Sequence, residues 1–399
     1  MKRLRVGIVY GGRSGEHEVS LASAAAVFAN LDRQRYEPVA IRIEKDGRWV
    51  LADRPPSAAS AVEVLDQMRG ESARLRGGRD VVLPPQPGVT TLWLVDRRPA
   101  HGTAEVVPPV ESRAINREPR VPGLTGLALD VVFPVLHGPY GEDGTLQGLL
   151  ELAGVPYVGC GVLASAVGMD KALMKSVFRE RGLRVPDWVT VRSSTWRASP
   201  ASVIATVGGE LSYPLFVKPA NLGSSVGISK VRDQAELGPA LDLAAEFDRR
   251  IVVERAVADA REIECAVLGL DTPRASVLGE IVPSREFYDY EAKYISTGSR
   301  TEIPAKLDAA LTATIQTQAL AAFDAIDGAG LARVDFLLSR TTGDLYVNEI
   351  NTMPGFTTIS MFAKMWAASD LDYPSLIDAL ITFALARHRD KQQLRTSAF

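Results

Sequence analysis

Late in the chain, two strand-like segments, ARVDFLL and DLYVNEI, are separated by a few residues that include the sequence TTG at 341–343. A three-residue loop with glycine at its left-handed position predicts an antiparallel hairpin in which Arg340 pairs with Asp344. Counting inward from that pair places Asp335 directly opposite Glu349, although a bulge in such a loop would shift the register by one residue. This hairpin predicts an antiparallel sheet with two carboxylates in cross-strand contact.

The residues around this carboxylate pair indicate a metal site. Residues two apart in a strand share a face, which puts Asn351 beside Glu349 and Arg333 beside Asp335 on their strands. Two carboxylates in direct register repel each other, and a divalent cation between them would relieve that repulsion. Carboxylate and amide oxygens suit Mg²⁺ better than zinc. The other interpretation of this pattern is a pair of solvated strand ends.

The segment KPANLGSSVG, residues 218–227, is predicted to be an anion-binding loop between two strands. Glycine and small hydroxyl residues let backbone N–H groups approach an anion closely, and Lys218 supplies charge at the strand end. The spacing is not that of a Walker A loop, and an ordinary Gly-Ser hairpin has the same composition. A second lysine, Lys171, lies at a predicted helix start, where the helix dipole disfavours a cation. Beside a predicted Mg²⁺ site, these features favour a nucleoside triphosphate as the ligand.

Composition narrows the class of protein. The chain has 399 residues and a net charge of −3, enough length for several domains and no basic field for nucleic acid or an anionic membrane. Cys160 and Cys265 are too few for a disulfide framework, which fits a reducing cytosol. The apolar run near the start ends at Arg13, so it is too short for a signal peptide, and no apolar stretch reaches the ~18 residues of a membrane span. We therefore expect a cytoplasmic protein.

The pattern of apolar runs predicts several domains, of α/β and then α+β type. The chain opens with a strand, a glycine loop and an Ala-rich helix, and LALDVVFPVLHG at 127–138 is predicted to be one long buried strand. The predicted units are an N-terminal α/β domain over 1–160 with an irregular, proline-rich insertion at 52–125, a mixed central domain over 161–254, and an α+β domain over 255–399.

Eight short motifs follow one another along the chain: GGRSGEHEVS, LHGPYGEDGTLQG, MDK, VKPANLGSSVG, REIECAV, FYDYEAKY, ARVDF and NEINTMPGF. In this order they resemble those of the D-alanine–D-alanine ligases of the ATP-grasp superfamily. The resemblance runs from residue 4 to about 365 and is weak only over 52–125, which looks like the long-insertion form of the family. It implies an ATP-grasp fold with an N-terminal Rossmann-like domain, and a homodimer.

The resemblance also implies a reaction. ATP would phosphorylate one D-alanine, and the amine of a second D-alanine would attack the D-alanyl phosphate, giving D-alanyl-D-alanine, ADP and phosphate for peptidoglycan precursors. Such a pathway needs positioning and charge stabilisation more than a protein nucleophile.

The resemblance assigns roles to individual residues. The expected ligands of two Mg²⁺ ions, with Mn²⁺ as an alternative, are Asp335, Glu349 and Asn351. The expected ATP contacts are Lys171, Lys218, Ser224, Ser225, Glu254, Ala256, Val257, Glu262 and Lys293. The expected catalytic residues are Glu16, Ser224, Tyr294, Arg333 and Gly355, of which Glu16 would take the ammonium of the first D-alanine and the last two would form an oxyanion hole. The expected substrate contacts are His137, Ser360 and Met361.

The stretch 283–300 is expected to be a lid, with Tyr294 directed toward Ser224 and Glu16. Relatives that make D-alanyl-D-lactate carry a different residue at this tyrosine, so Tyr294 favours an amine acceptor. Simpler interpretations exist for each of these features: a mobile surface loop, a helix-capping glutamate at Glu16, and a hydrogen-bonded core histidine at His137.

Three other functions compete with this one. Another ATP-grasp ligase or a carboxylase of the biotin-dependent type would lack the EHEVS and EAKY sequences together, and this chain has both. A nucleotide-binding oxidoreductase is suggested by LRVGIVYGGRSG, but the spacing is not G-x-G-x-x-G. A regulatory ATP-binding module without catalysis would have lost Arg333 or a metal carboxylate.

Overall fold

The computed structural model describes residues 2–58, 60–64, 78–87, 90–95, 126–282 and 300–395. These residues form three β-sheets with flanking helices, and each sheet comes from one contiguous part of the chain. The expected domain limits at 160 and 254 stay predictions; the second falls near the end of the last strand of the second sheet. Within the described residues, no helix has both the length and the apolar composition needed to cross a membrane.

The first sheet contains both parallel and antiparallel strands. The strands are Leu4–Gly11 (β1), Tyr36–Ile43 (β2), Trp49–Ala52 (β3), Gly78–Val82 (β4), Thr91–Leu94 (β5), Gly126–Ala128 (β6) and Val131–Val135 (β7), and the helices beside them are His17–Asn30 (α1) and Thr145–Ala153 (α2). The order is β6-β5-β4-β3-β2-β1-β7, and β1 is parallel to both β2 and β7. Since β4 and β5 lie within 52–125, that insertion extends the sheet.

The expectation of one long strand over 127–138 is wrong, because the chain changes its pairing partner at Asp130. The Asp130 carboxylate accepts the Arg5 N–H at 2.6 Å, and the Asp130 N–H donates to the Arg5 carbonyl at 2.9 Å. This divides the segment between β6 and β7, which lie at opposite ends of the strand order. Since the two-residue link between β6 and β7 spans only ~10 Å, the two ends of the strand order come close together where the chain passes from one to the other.

The middle of the chain forms an antiparallel four-stranded sheet packed against helices. Its strands are Trp188–Arg192 (β8), Leu215–Pro219 (β9), Ser229–Val231 (β10) and Arg250–Arg255 (β11), and its helices are Ser193–Ala198 (α5), Pro200–Glu210 (α6) and Gln234–Phe247 (α7). Two earlier helices, Val162–Met169 (α3) and Lys171–Glu180 (α4), pack in the hydrophobic core of the third sheet. Asp170 caps α4 by accepting the amides of Ala172 and Leu173. The turn between β9 and β10 is the predicted anion-binding loop.

The third sheet is antiparallel and carries the predicted metal face. Its strands are Ala260–Gly269 (β12), Arg274–Val282 (β13), Arg300–Glu302 (β14), Gly330–Ser339 (β15) and Leu345–Asn351 (β16), followed by helices Met361–Ala367 (α9) and Tyr373–Gln392 (α10), with Ala309–Ala325 (α8) between β14 and β15. The order is β14-β13-β12-β15-β16. One hydrophobic core joins this part to the first sheet, with Ile8 and Phe133 packed in the same cluster as Phe362 and Leu380.

The hairpin of β15 and β16 has the predicted register at the carboxylates but not at its turn. Asp335 pairs with Glu349, as predicted. The expected pairing of Arg340 with Asp344 is wrong, because the Asp344 carbonyl accepts the amide of the residue before Arg340 and the Arg340 amide donates to Asp259. A bulge at Asn348 then offsets the one-residue difference before the carboxylate pair is reached.

Candidate active site

The anion-binding loop after β9 holds a strained backbone. Ser224 and Ser225 have positive φ angles of 52° and 60°, and Gly227 follows at 71°. For a residue other than glycine, this left-handed conformation costs about 1–2 kcal/mol. Successive amides in such turns form a concave surface that binds anions, and backbone strain of this kind is common where a ligand is held.

Glu16 reaches from α1 to this loop. It stands at the N-cap of α1, yet its carboxylate accepts a hydrogen bond from the Ser224 hydroxyl rather than capping the helix. The loop approaches so closely that a Cβ on Gly223 would lie 3.0 Å from Glu16 Oε2, and one on Gly138 would lie 2.7 Å from it. The simple capping interpretation of Glu16 therefore does not describe its side chain, and a buried carboxylate is directed into the space between α1 and the loop.

Lys171 ties the loop to the third sheet. Its Nζ donates to the Leu222 carbonyl at 2.6 Å and lies 3.9 Å from Glu349 Oε2. The side chain is only 11% exposed, so its charge is directed inward. A cation at the first position of α4, unfavourable for the helix alone, is thus compensated by a carbonyl and a carboxylate.

Three buried charges lie behind the loop. Lys218, at the end of β9, and Lys175, one turn after Lys171 on α4, both contact the Glu254 carboxylate, with Lys175 Nζ at 2.9 Å. Burial acts to raise the pKa of Glu254, but the two ammonium groups outweigh it and lower the pKa to about 2. Burial lowers the pKa of Lys175, whereas for Lys218 the effect of burial is outweighed by Glu254 and the pKa is raised. Two cations around one carboxylate give this cluster a positive field next to the loop.

The predicted metal face is assembled on β15 and β16. Asp335 and Glu349 are in direct register, and the Asn351 side-chain amide donates to Asp335 Oδ2 at 3.0 Å. Among the described residues, no three His, Cys, Asp or Glu side chains are grouped closely enough to hold a metal ion. A cation here would therefore bind two carboxylates and an amide and take its other oxygens from water or phosphate, which is how Mg²⁺ binds. The residues fit that ion.

Arg333 lies between two acidic side chains on this face. Its Nε and Nη2 donate to the two oxygens of Asp335, both at 2.7 Å, and its Nε lies 3.3 Å from Glu264 on β12. Burial acts to lower the pKa of Arg333, but Asp335 and then Glu264 outweigh it and raise the pKa well above the usual range. The guanidinium is thus a fixed positive charge beside the carboxylate pair.

His137, just after β7, connects the first sheet to the turn after β16. Its Nδ1 lies 3.1 Å from the Met353 carbonyl and its Nε2 lies 3.2 Å from Ser23 Oγ. A carbonyl can only accept, so Nδ1 carries the proton and the neutral ring accepts from Ser23 at Nε2. Ser23 Oγ in turn accepts the Phe356 amide at 3.3 Å. Burial lowers the pKa of His137, with Glu16 opposing, so the neutral ring is favoured.

These contacts close a ring. The anion-binding loop contacts Glu16, Glu16 lies against Gly138 beside His137, and His137 binds the turn that follows the metal face. On that face Glu349 lies close to Lys171, and Lys171 in turn donates to the backbone of the loop. The predicted anion, metal and substrate residues therefore surround one site.

Three more predicted residues, Gly355, Ser360 and Met361, lie in the segment that follows β16. Gly355 follows the turn, where a Cβ would come within 3.3 Å of Ser360 Oγ. Ser360, at the N-cap of α9, accepts the Thr357 amide at 3.0 Å. Met361 packs in the hydrophobic core against Gly279, so its side chain is placed for packing, and its expected contact with the second substrate stays a prediction.

The expected adenine and ribose contacts lie beyond Glu254. The Ala256 amide donates to the Pro214 carbonyl at 3.0 Å, so its own carbonyl is the backbone group that could bind a base. Val257 follows it, and Glu262 lies on β12, two residues before Glu264 on the same face. The expected residues Lys293 and Tyr294 lie outside the described part of the chain.

Four residues of the site were not predicted from the sequence: Ser23, Glu142, Lys175 and Glu264. Lys175 could have been predicted, since it lies four residues after Lys171 and thus on the same helix face. Glu142 stands inside the LHGPYGEDGTLQG motif, and its carboxylate accepts the Gly138 amide at 2.7 Å. Burial, with Glu16 next, raises the pKa of Glu142 to about 8.

Comparisons with known proteins agree with this geometry. The family model described as D-ala D-ala ligase N-terminus matches residues 5–160, and the one described as D-ala D-ala ligase C-terminus matches residues 177–382. A D-alanine–D-alanine ligase of Heliobacterium modesticaldum is 46% identical over 99% of this chain and 98% of its own. One of Bacillus cytotoxicus is 44% identical over 99% of both chains.

Solved structures show the same likeness. The D-alanine–D-alanine ligase of Coxiella burnetii superposes with a TM-score of 0.77 at 35% identity, covering 98% of this chain and 97% of that one. A D-Ala:D-Ser ligase of Enterococcus faecalis has a TM-score of 0.77 at 33% identity, covering 96% and 100%. The expected ATP-grasp fold with an N-terminal Rossmann-like domain is confirmed. By sequence and by structure, this chain belongs to the D-alanine–D-alanine ligase family.

Proposed function

We propose that this chain joins two D-alanine molecules to D-alanyl-D-alanine at the expense of ATP, releasing ADP and phosphate. The observation that carries the proposal is the closed ring of contacts around one site, in a chain similar to named ligases over its whole length. The product would supply peptidoglycan precursors, and the enzyme would act in the cytoplasm as a homodimer.

In the first step, a carboxylate oxygen of one D-alanine attacks the terminal phosphorus of ATP, and the bond to ADP breaks. Glu16 binds the ammonium group of that D-alanine. Lys171, Lys218 and the amides of Ser224 and Ser225 hold the phosphates, with the positive cluster behind them favouring negative charge. Mg²⁺ held by the carboxylates and amide of the third sheet, with Mn²⁺ as an alternative, would neutralise charge on the phosphates during transfer.

In the second step, the amine of another D-alanine attacks the acyl carbon of D-alanyl phosphate. The carbon–oxygen bond to phosphate breaks, and the amine gives up its surplus protons to phosphate and solvent. Arg333 and the Gly355 amide stabilise the negative charge that develops on the acyl oxygen. His137 is a poor candidate for a general base, because its Nδ1 carries the proton and its Nε2 accepts from Ser23; it fixes the turn that carries Gly355.

Phosphate release from Mg·ATP tests the proposal directly. We expect release that depends on D-alanine, with D-alanyl-D-alanine identified by mass. D-Serine, D-lactate and L-alanine as second substrates define the acceptor, and the likeness to a D-Ala:D-Ser ligase makes D-serine the most informative of them. Activity with L-alanine, or none with D-alanine, would overturn the proposal.

A further inference from the structure

Glu264 is a buried carboxylate next to the site that has no role in the mechanism above. It lies on β12, and its side chain is only 6% exposed. A carboxylate removed from water is unfavourable unless an opposite charge or hydrogen-bond donors compensate for it. Its position therefore needs a reason.

The register of the third sheet places Glu264 in a row of acids. Glu264 pairs directly with Asp335 across β12 and β15, and Asp335 pairs directly with Glu349 across β15 and β16. Directly paired residues in an antiparallel sheet point to the same face, so three carboxylates stand side by side on adjacent strands. Like charges in this arrangement repel unless cations lie among them.

Arg333 is the cation shared by the first two members of this row. Its Nε lies 2.7 Å from Asp335 Oδ1 and 3.3 Å from Glu264 Oε2. Its Nη2 donates to Asp335 Oδ2 at 2.7 Å. The single Nε–H is donated to Asp335, so Glu264 Oε2 acts on the guanidinium as a close opposite charge from a different strand.

Asp335 has two roles that compete. It is a proposed metal ligand, and the same two oxygens hold Arg333. When a divalent cation binds Asp335, the attraction between this carboxylate and the guanidinium becomes weaker. Glu264 is not one of the proposed metal ligands, so its charge is not divided in this way.

We propose that Glu264 is a positioning residue for Arg333, keeping the guanidinium paired and oriented when Asp335 binds the metal ion. The inference rests on the proposed function, in which Arg333 stabilises the acyl oxygen. Glu264 touches neither substrate nor metal; it fixes the side chain that does.

Glu264→Gln tests the proposal, because the amide keeps the size of the side chain and removes its charge. We expect kcat to fall about tenfold or more, with the KM for ATP changed less than threefold. The Nε–H resonance of Arg333, identified with ¹⁵N-labelled arginine and an Arg333→Lys variant, should stay sharp in the wild type when Mg·ADP is added. In Glu264→Gln it should shift and broaden on the same addition.

Glu280→Gln is the matched control. Glu280 is also buried on this sheet and binds Arg261 through two hydrogen bonds, at 2.9 and 2.6 Å. It pairs with Ile263, so it lies on the opposite face from Glu264. Its variant should lower the melting temperature and leave kcat unchanged.

A Glu264→Gln enzyme with kcat within twofold of wild type and an unchanged Arg333 resonance would overturn the inference. If Glu264→Gln does not fold, Glu264→Asp keeps the charge but moves it away from Nε, and wild-type kcat in that variant would overturn it equally. If the wild-type protein shows no D-alanine-dependent phosphate release, the proposed function is refuted instead. The Nε–H resonance of Arg333 would still decide whether Glu264 positions Arg333.

Discussion

Replacing Lys175 with methionine should leave the protein nearly as stable as before and weaken its binding of ATP. Lys175 is 1% exposed, and its Nζ lies 2.9 Å from Glu254, which also contacts Lys218. Methionine fills a similar volume without a charge. After the replacement Glu254 keeps its ion pair with Lys218, so no buried carboxylate is left without a cation.

The expected change in the free energy of unfolding follows from these contacts. At 2.9 Å and an effective dielectric constant of about 20, the Lys175–Glu254 attraction is about 6 kcal/mol. Removing an ammonium group from water costs several kcal/mol, and Lys218 repels Lys175, so most of that attraction is cancelled. We expect Lys175→Met to change the free energy of unfolding by about 1–2 kcal/mol. Glu254→Gln leaves two buried ammonium groups without their carboxylate and should cost about 3–5 kcal/mol.

Lys175→Met should affect ATP binding more than its small effect on stability would suggest. Lys175 supplies half of the positive charge behind the anion-binding loop, so its loss should raise the KM for ATP severalfold. Urea unfolding of the wild type, Lys175→Met, Glu254→Gln and the double variant gives the stabilities and the coupling between the two side chains. Phosphate release against ATP concentration gives KM. The reasoning fails if Lys175→Met is as destabilising as Glu254→Gln, or if its KM is that of the wild type.

Two further predictions concern carboxylates. Glu349→Gln should lower turnover by orders of magnitude while the melting temperature stays within a few degrees; near-normal turnover would remove Glu349 from the proposed metal site. Burial and Glu16 raise the pKa of Glu142 from 4.5 to about 8, so the folded protein holds an extra proton between those values. Stability should therefore fall as pH rises through this range, by up to ~1.4 kcal/mol per pH unit. Unfolding in urea at stepped pH should show a shallower slope for Glu142→Gln, and an equal slope would contradict the assignment.

The register of the β15–β16 hairpin shows how far local pattern predicts structure. The two-residue alternation puts Val334 and Ile350 inward, where both are buried, and this requires Asp335 and Glu349 to face the other way. The turn was not predicted correctly, because the Arg340 amide binds Asp259 from a distant part of the chain. A bulge absorbs the difference, since burying the apolar face matters more than the form of an exposed turn.

Glu16 shows what local pattern leaves open. A glutamate at the start of a helix is equally consistent with a cap and with a ligand-binding carboxylate. The choice depends on the loop after β9, which is distant in sequence and donates the Ser224 hydroxyl hydrogen to the Glu16 carboxylate, with Gly223 packed against the same side chain.

The sequence by itself determined many of the strands, the order of the motifs and the residue types that can hold a cation and phosphate, because these depend on periodicity and on side-chain chemistry. The tertiary structure decided which charges meet. Glu254 lies between Lys175 and Lys218, and Arg333 lies between Asp335 and Glu264, because α4, β9 and the third sheet pack in one arrangement. Electrostatic interactions depend on distance and on exclusion of water, and neither exists until the elements are packed.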